Sequence, residues 1–171
     1  MLIALSGTPG TGKSSVASIL GDGGLRVCHL DDLAAQCGAL VEYDETRETW
    51  EVDLEALRRS IPRERPLVLV GHLSHLLPVD LAVVLRCHPD MLRHRLEARG
   101  WSPSKVKENV EAEAIGVITY EAMERVKTFE VDTTSTSSEG AAGTVLEIIE
   151  GKGDVHRAGK LDWSEVILSW F

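Results

Sequence analysis

The residues with the clearest chemistry are Gly7-Thr8-Pro9-Gly10-Thr11-Gly12-Lys13-Ser14, which fit G-x-x-x-x-G-K-S/T in full. Glycines let the backbone curl until successive N–H groups point inward and form a concave anion site. A helix that starts where the loop ends adds its positive N-terminal dipole. Lys13 brings a point charge to the β- and γ-phosphates, and the Ser14 hydroxyl is a ligand for Mg²⁺. The expected ATP-binding set is Gly7, Pro9, Gly10, Thr11, Gly12, Lys13, Ser14 and Ser15, joined by Arg99. The chemistry this implies is Mg·ATP binding with transfer or hydrolysis of the terminal phosphate. No N-K-x-D reads guanine here, and no G-x-G-x-x-G follows a strand, which sets aside GTPases and dinucleotide binding.

Three further groups could act on that phosphate. Asp31 and Asp32 follow the second apolar run, at the sheet rim where ligands sit in open α/β folds. Either could order Mg²⁺ waters or steer a nucleophile, or Asp31 could cap a helix. His72 and His75 follow the third run, where a metal-ordering carboxylate is usual and none is present. His72 could bond the γ-phosphate or an attacking water; helix capping and a zinc pair are the alternatives. Arg95 and Arg99 lie four apart on one helix face, with Gly100 as its left-handed cap. Arg99, at that hinge, is the candidate to stabilise charge on the transferring group, whereas Arg93 reads as a solvated base.

These residues need a scaffold, and the apolar pattern provides one. Leu2–Ser6, Leu25–Leu30, Pro66–Gly71, Leu81–Arg86 and Phe129–Asp132 read as five strands. Segments of helical period at about 13–20, 53–60, 89–99, 103–127 and 138–150 read as helices. Near-continuous apolar strands alternating with helices imply a parallel sheet covered on both faces, in one domain spanning 1–171. Residues 37–52 are a polar insertion with Tyr43, Asp44, Arg47 and Trp50, able to cover a substrate. Residues 151–161 read as a glycine-containing linker. After it, Asp162 and Glu165 resemble a capping box. It opens an amphipathic helix with Trp163, Val166, Ile167, Trp170 and Phe171 on one face, expected to dock on the chain's own core.

Composition narrows the classes. In 171 residues the net charge is −9, which opposes general nucleic-acid binding and suits a basic protein partner. Cys28, Cys37 and Cys87 are too far apart for C-x-x-C, as expected in a reducing compartment. The apolar N-terminus runs straight into the glycine loop and reads as a strand. An intracellular, soluble protein is expected.

Together these features resemble the adenylate kinase superfamily. They resemble most its atypical branch, adenylate kinase isoenzyme six, with archaeal relatives, over residues 1–127. The resemblance rests on the loop Gly7–Ser14 and on Asp32-Leu33-Ala34 with Tyr43-Asp44 and Asp53. It rests also on His72 with Pro78 six residues later, and on Leu85-Arg86, Arg95–Trp101, Asn109-Val110 and Tyr120–Ala122. It implies a P-loop NTPase fold of nucleoside-monophosphate-kinase type with a five-stranded parallel sheet and a short lid over 99–104. It also implies Mg²⁺-dependent conversion of ATP and AMP to ADP, ATPase activity, and catalytic roles for Lys13, His72, Arg99 and Asp32. The monophosphate would lie over 32–60, with Asp32, Tyr43 and Arg47. The implied biology is small-ribosomal-subunit maturation through a basic ribosomal protein, in the cytoplasm or, in a eukaryote, also the nucleus. Two positions depart from that branch: Val70 stands for an acid and Ala35 for an arginine, which leaves Arg47 as the candidate replacement.

Overall fold

The apolar runs pair side by side as parallel strands. The computed structural model describes residues 1–170. The elements, in order, are β1 (Leu2–Ser6), α1 (Lys13–Asp22), β2 (Arg26–His29), α2 (Leu30–Cys37), β3 (Leu40–Asp44), β4 (Thr49–Val52) and α3 (Leu54–Ser60). Then come β5 (Leu67–Val70), β6 (Leu81–Arg86), α4 (Pro89–Ala98), α5 (Pro103–Ala114), α6 (Val117–Met123), β7 (Thr128–Asp132), α7 (Ser138–Ile149) and α8 (Ser164–Leu168). The main sheet has five strands in the order β2-β5-β1-β6-β7, all parallel. With helices on both faces, this is the P-loop NTPase kinase fold.

Burial on both faces explains why these strands lack polar alternation. Ile3, Leu5, Val83 and Leu85 pack with Val16 and Leu20 of α1 and Val145 and Ile148 of α7. Leu2, Leu67 and Leu69 point the other way, against Leu30 and Leu33 of α2 and Leu57 of α3. A third cluster joins Leu92 and Leu96 of α4 to Val106 and Val110 of α5. Each fully buried leucine of this kind stabilises the fold by about 1.5–3 kcal/mol.

The structure differs from the sequence expectations in four places. Residues 103–127 form not one helix but two, α5 and α6, because Gly116 adopts φ 70° between them. The second strand ends at His29, and Leu30 opens α2, a helix the sequence pattern did not separate from the strand. The polar insertion is an antiparallel hairpin, β3 with β4, with Tyr43 edge-on to Trp50 at 5.5 Å. The C-terminal helix is short. The Asp162 carboxylate accepts from the Ser164 N–H at 2.9 Å, Trp163 stands edge-on to His88 at 5.0 Å, and Leu168 is exposed. Phe171 lies outside the described residues.

Candidate active site

The glycine loop leaves the carboxyl end of β1, the central strand. Its shape needs glycine at two positions in particular. Gly7 has φ 135°, and a Cβ there would meet the Leu85 carbonyl oxygen at 2.4 Å. Gly10 has φ 93°, and a Cβ would lie 2.8 Å from Leu92 and 2.9 Å from Leu96 of α4. The loop is therefore pressed between β6 and α4.

Inside the loop, Thr8 is the hub. Its carbonyl accepts from the Thr11 N–H at 3.2 Å, the Thr11 hydroxyl at 2.8 Å and Lys13 Nζ at 3.0 Å. Lys13 Nζ also donates to the Gly7 carbonyl at 2.7 Å. Burial lowers the Lys13 pKa to about 8, against an opposing pull from Asp31 and then Glu113, with Arg99 adding to the decrease. Ser14 and Ser15, in the first turn of α1, are exposed.

Asp31 and Asp32 both lie in the first turn of α2, where the helix dipole favours a negative charge, and neither caps the helix by a side-chain hydrogen bond. Their surroundings differ. The field of Asp31 acts on Lys13 and on His72, whereas burial and then the charge of Asp32 raise the Cys28 thiol pKa.

His72 follows β5. Burial, then the Lys13 charge, lowers its pKa, with Asp31 partly opposing and His75 adding to the decrease. It is thus a neutral imidazole at pH 7. His75 does not cap a helix; both its ring nitrogens have side-chain partners. It bridges Ser6 Oγ at 2.9 Å and Glu121 Oε2 at 3.0 Å, and Ser6 Oγ lies 3.2 Å from the His72 carbonyl oxygen. Among the described residues no cluster of three or more His, Cys, Asp or Glu could hold a metal.

The two arginines of α4 divide. Arg95 Nη2 donates to the Thr133 carbonyl at 2.7 Å and Nη1 reaches toward Gly10 O at 3.5 Å, so it ties α4 to the loop. Arg99, exposed at the helix end, has no side-chain partner among the described residues. Both line a cavity of about 220 Å³ with Gly10, Gly12, Ser15 and the 133–138 segment. The sequence pattern marked Thr133–Ser138 only as a loop and helix cap. Ser137 does cap α7, but the segment also forms one wall beside the phosphate loop.

Tyr43 and Arg47 lie on the hairpin. Arg47 Nε pairs with Glu108 of α5 at 3.6 Å, and Glu48 accepts from Ser102 Oγ at 2.6 Å. Lys105 Nζ donates to the Glu48 carbonyl at 2.7 Å. The hairpin tip is thereby joined to the segment that follows Arg99.

A buried charged network behind the loop was not visible in the sequence. Thr8 Oγ1 donates to Glu113 Oε2 at 2.5 Å. Glu113 Oε1 accepts from Arg86 Nε at 2.7 Å and from the Cys87 N–H at 3.0 Å. Arg86 Nη1 pairs with Glu130 Oε1 at 2.5 Å, and Glu130 Oε2 accepts from the N–H groups of Gly159 and Lys160 at 2.9 and 3.2 Å. Burial works against the Arg86 charge, but Glu113 and then Glu130 outweigh it and raise its pKa.

The oxygen donors near the loop suit a hard ion such as Mg²⁺, which takes one or two protein ligands and completes its shell with substrate phosphates and water. Ser14 and Asp31 fit that habit.

Known proteins identify the family and the fold. A family model described as an AAA domain matches residues 3–116. A protein named "Putative adenylate kinase" from Archaeoglobus fulgidus is 44% identical over 167 residues, covering 95% of this chain and 92% of its own length. One of the same name from Pyrococcus abyssi is 43% identical, covering 97% of this chain and 93% of itself. Among solved structures, shikimate kinase from Acinetobacter baumannii superposes with a TM-score of 0.64 at 15% identity, over 88% of this chain and 93% of that one. That likeness concerns the fold alone. No helix among the described residues is long and apolar enough to cross a membrane. The chain belongs to the adenylate-kinase-like family of P-loop kinases that these archaeal proteins represent.

Proposed function

We propose that this protein transfers the γ-phosphoryl group of Mg·ATP to AMP, giving two ADP. The observation that carries the reading is Lys13 held on the carbonyls of a complete phosphate loop, in a chain that matches relatives named "Putative adenylate kinase" over more than nine-tenths of their length. Lys13 would leave the loop carbonyls to meet the β- and γ-phosphates. Arg99 would swing from the end of α4 onto the charge that spreads over the transferring group. Ser14 and Asp31 would hold Mg²⁺, which would supply neutralisation of phosphate charge. Asp31 fills the carboxylate role left open by Val70, and Asp32, Tyr43 and the hairpin form the near wall of the acceptor side. The test is steady-state ADP formation. Adding AMP should raise the rate, with two ADP formed per ATP consumed; a rate indifferent to AMP contradicts the reading.

A second reading, an ATPase that switches a protein partner such as a basic small-subunit ribosomal protein, is favoured by Ala35 and by the pairing of Arg47 with Glu108. His72 separates the two. Water must give up a proton as it attacks, whereas the phosphate of AMP is already largely ionised at pH 7. His72→Ala should therefore lower ATP hydrolysis by about 10²-fold or more while leaving transfer to AMP and ATP affinity much less affected. Because burial and Lys13 keep His72 neutral, the acid limb of hydrolysis should fall below the ordinary histidine value of about 6.5. Equal losses of hydrolysis and affinity would assign His72 a structural role.

A further inference from the structure

We propose that Glu113 is a positioning residue for the phosphate loop, acting through the Thr8 hydroxyl. The two oxygens of its carboxylate have separate partners. Oε1 is taken by Arg86 and the Cys87 N–H, which orient the group, and Oε2 accepts from Thr8 at 2.5 Å. Thr8 in turn holds Thr11 and Lys13 on its carbonyl. Thr8 therefore links the Glu113 carboxylate, through its side chain, to the shared carbonyl acceptor of the loop closure and the lysine. Pairing Arg86 alone would not require Thr8, and a neutral hydroxyl partner adds little charge balance to a carboxylate already bound to a guanidinium. What the contact adds is direction: it fixes the Thr8 side chain from outside the loop, from a helix 105 residues away.

Behind Glu113 the same geometry is braced again. Arg86 is held on its far side by Glu130, and Glu130 is held by the backbone N–H groups of 159 and 160. Glu113, Arg86 and Glu130 are almost fully buried, so each has little freedom to turn. The 157–161 segment thus belongs to the support of the phosphate loop, although it lies far from it in sequence.

The test uses Thr8→Val, which matches threonine in shape, removes only the donor and leaves the Arg86–Glu113 pair whole, beside Thr8→Ser, which keeps the donor. Calorimetric Mg·ATP affinity, kcat/KM for ADP formation and Tm are measured for both and for the wild type. Thr8→Val should raise the Mg·ATP Kd about tenfold and lower kcat/KM about a hundredfold, as expected when reacting groups shift by ~1 Å. Its Tm should fall by only a few degrees, because Glu113 Oε2 loses its partner while Oε1 keeps Arg86 and the Cys87 N–H, and Thr8→Ser should recover most of the losses. Binding and turnover of Thr8→Val within about twofold of wild type would overturn the inference, as would a Thr8→Ser variant equally impaired. A fall in Tm with unchanged Kd and kcat/KM per folded molecule would overturn it too. The inference rests on the phosphoryl-transfer reading, and the two fail separately. A wild type that turns over no ATP defeats that reading, and the Kd comparison still decides the role of Glu113.

Discussion

Replacing Lys13 by Ala should abolish turnover, lowering kcat/KM by about 10²–10³-fold or more, the usual scale for losing one preorganised charge at a developing anion. Lys13 is the only cation in the loop and lies within 3.0 Å of two of its carbonyl oxygens. No neighbouring cation stands in for it. Arg95 is committed to the Thr133 and Gly10 carbonyls, and Arg99 sits at the outer end of α4. The fold should be little affected, because the side chain packs no apolar core and Gly7 and Gly10 set the loop backbone. Phosphate release and ADP formation check the activity, and the thermal midpoint checks the fold. A Lys13→Ala protein that is fully active would remove the phosphate site from this loop.

The second large effect is on stability. Arg86→Ala should destabilise the protein by about 3–5 kcal/mol, because removing one partner of a buried ion network leaves uncompensated charge. Here the stranded groups are two carboxylates, Glu113 and Glu130, each within 3 Å of the missing guanidinium. In a domain of this size the thermal midpoint should fall by roughly 6–20 °C. Arg86→Met in a protein that also carries Glu113→Gln and Glu130→Gln should lose much less, since no buried charge remains unpaired. A Tm within a degree of wild type for Arg86→Ala would show that the network contributes nothing to folding.

The contrast between these two sites explains what the sequence revealed. Lys13 sits in a local pattern whose chemistry depends on consecutive residues, so spacing alone identified it. Strands β1 and β6 were equally legible, as Leu2–Ser6 and Leu81–Arg86, because burial on both faces turns a strand into an unbroken apolar run. The hairpin was not legible. Val41, Glu42, Tyr43, Trp50 and Glu51 are all exposed, so no face of β3–β4 is buried enough to impose alternation. Helix α2 was hidden because Leu30 prolongs the apolar run of β2 while already packing as a helical residue. The break after α5 turned on one glycine inside an otherwise helical stretch.

The supporting residues of the site escaped for a different reason. Thr8 and Glu113 are 105 positions apart, and Arg86 and Glu130 are 44 apart. A glutamate near the end of a polar helix and another in a strand carry no local pattern that predicts a shared buried network. The choice between Asp31 and Asp32 was likewise undecided by adjacency. The two differ in which groups they act on: Asp31 bears on Lys13 and Asp32 on Cys28.

Transfer of phosphate from ATP to AMP is checked by following the label of γ-labelled Mg·ATP mixed with unlabelled AMP. Labelled ADP should appear before labelled inorganic phosphate and at a higher rate. Label passing only to inorganic phosphate, at a rate unchanged by AMP, would contradict transfer and leave a nucleotide hydrolase on a kinase scaffold.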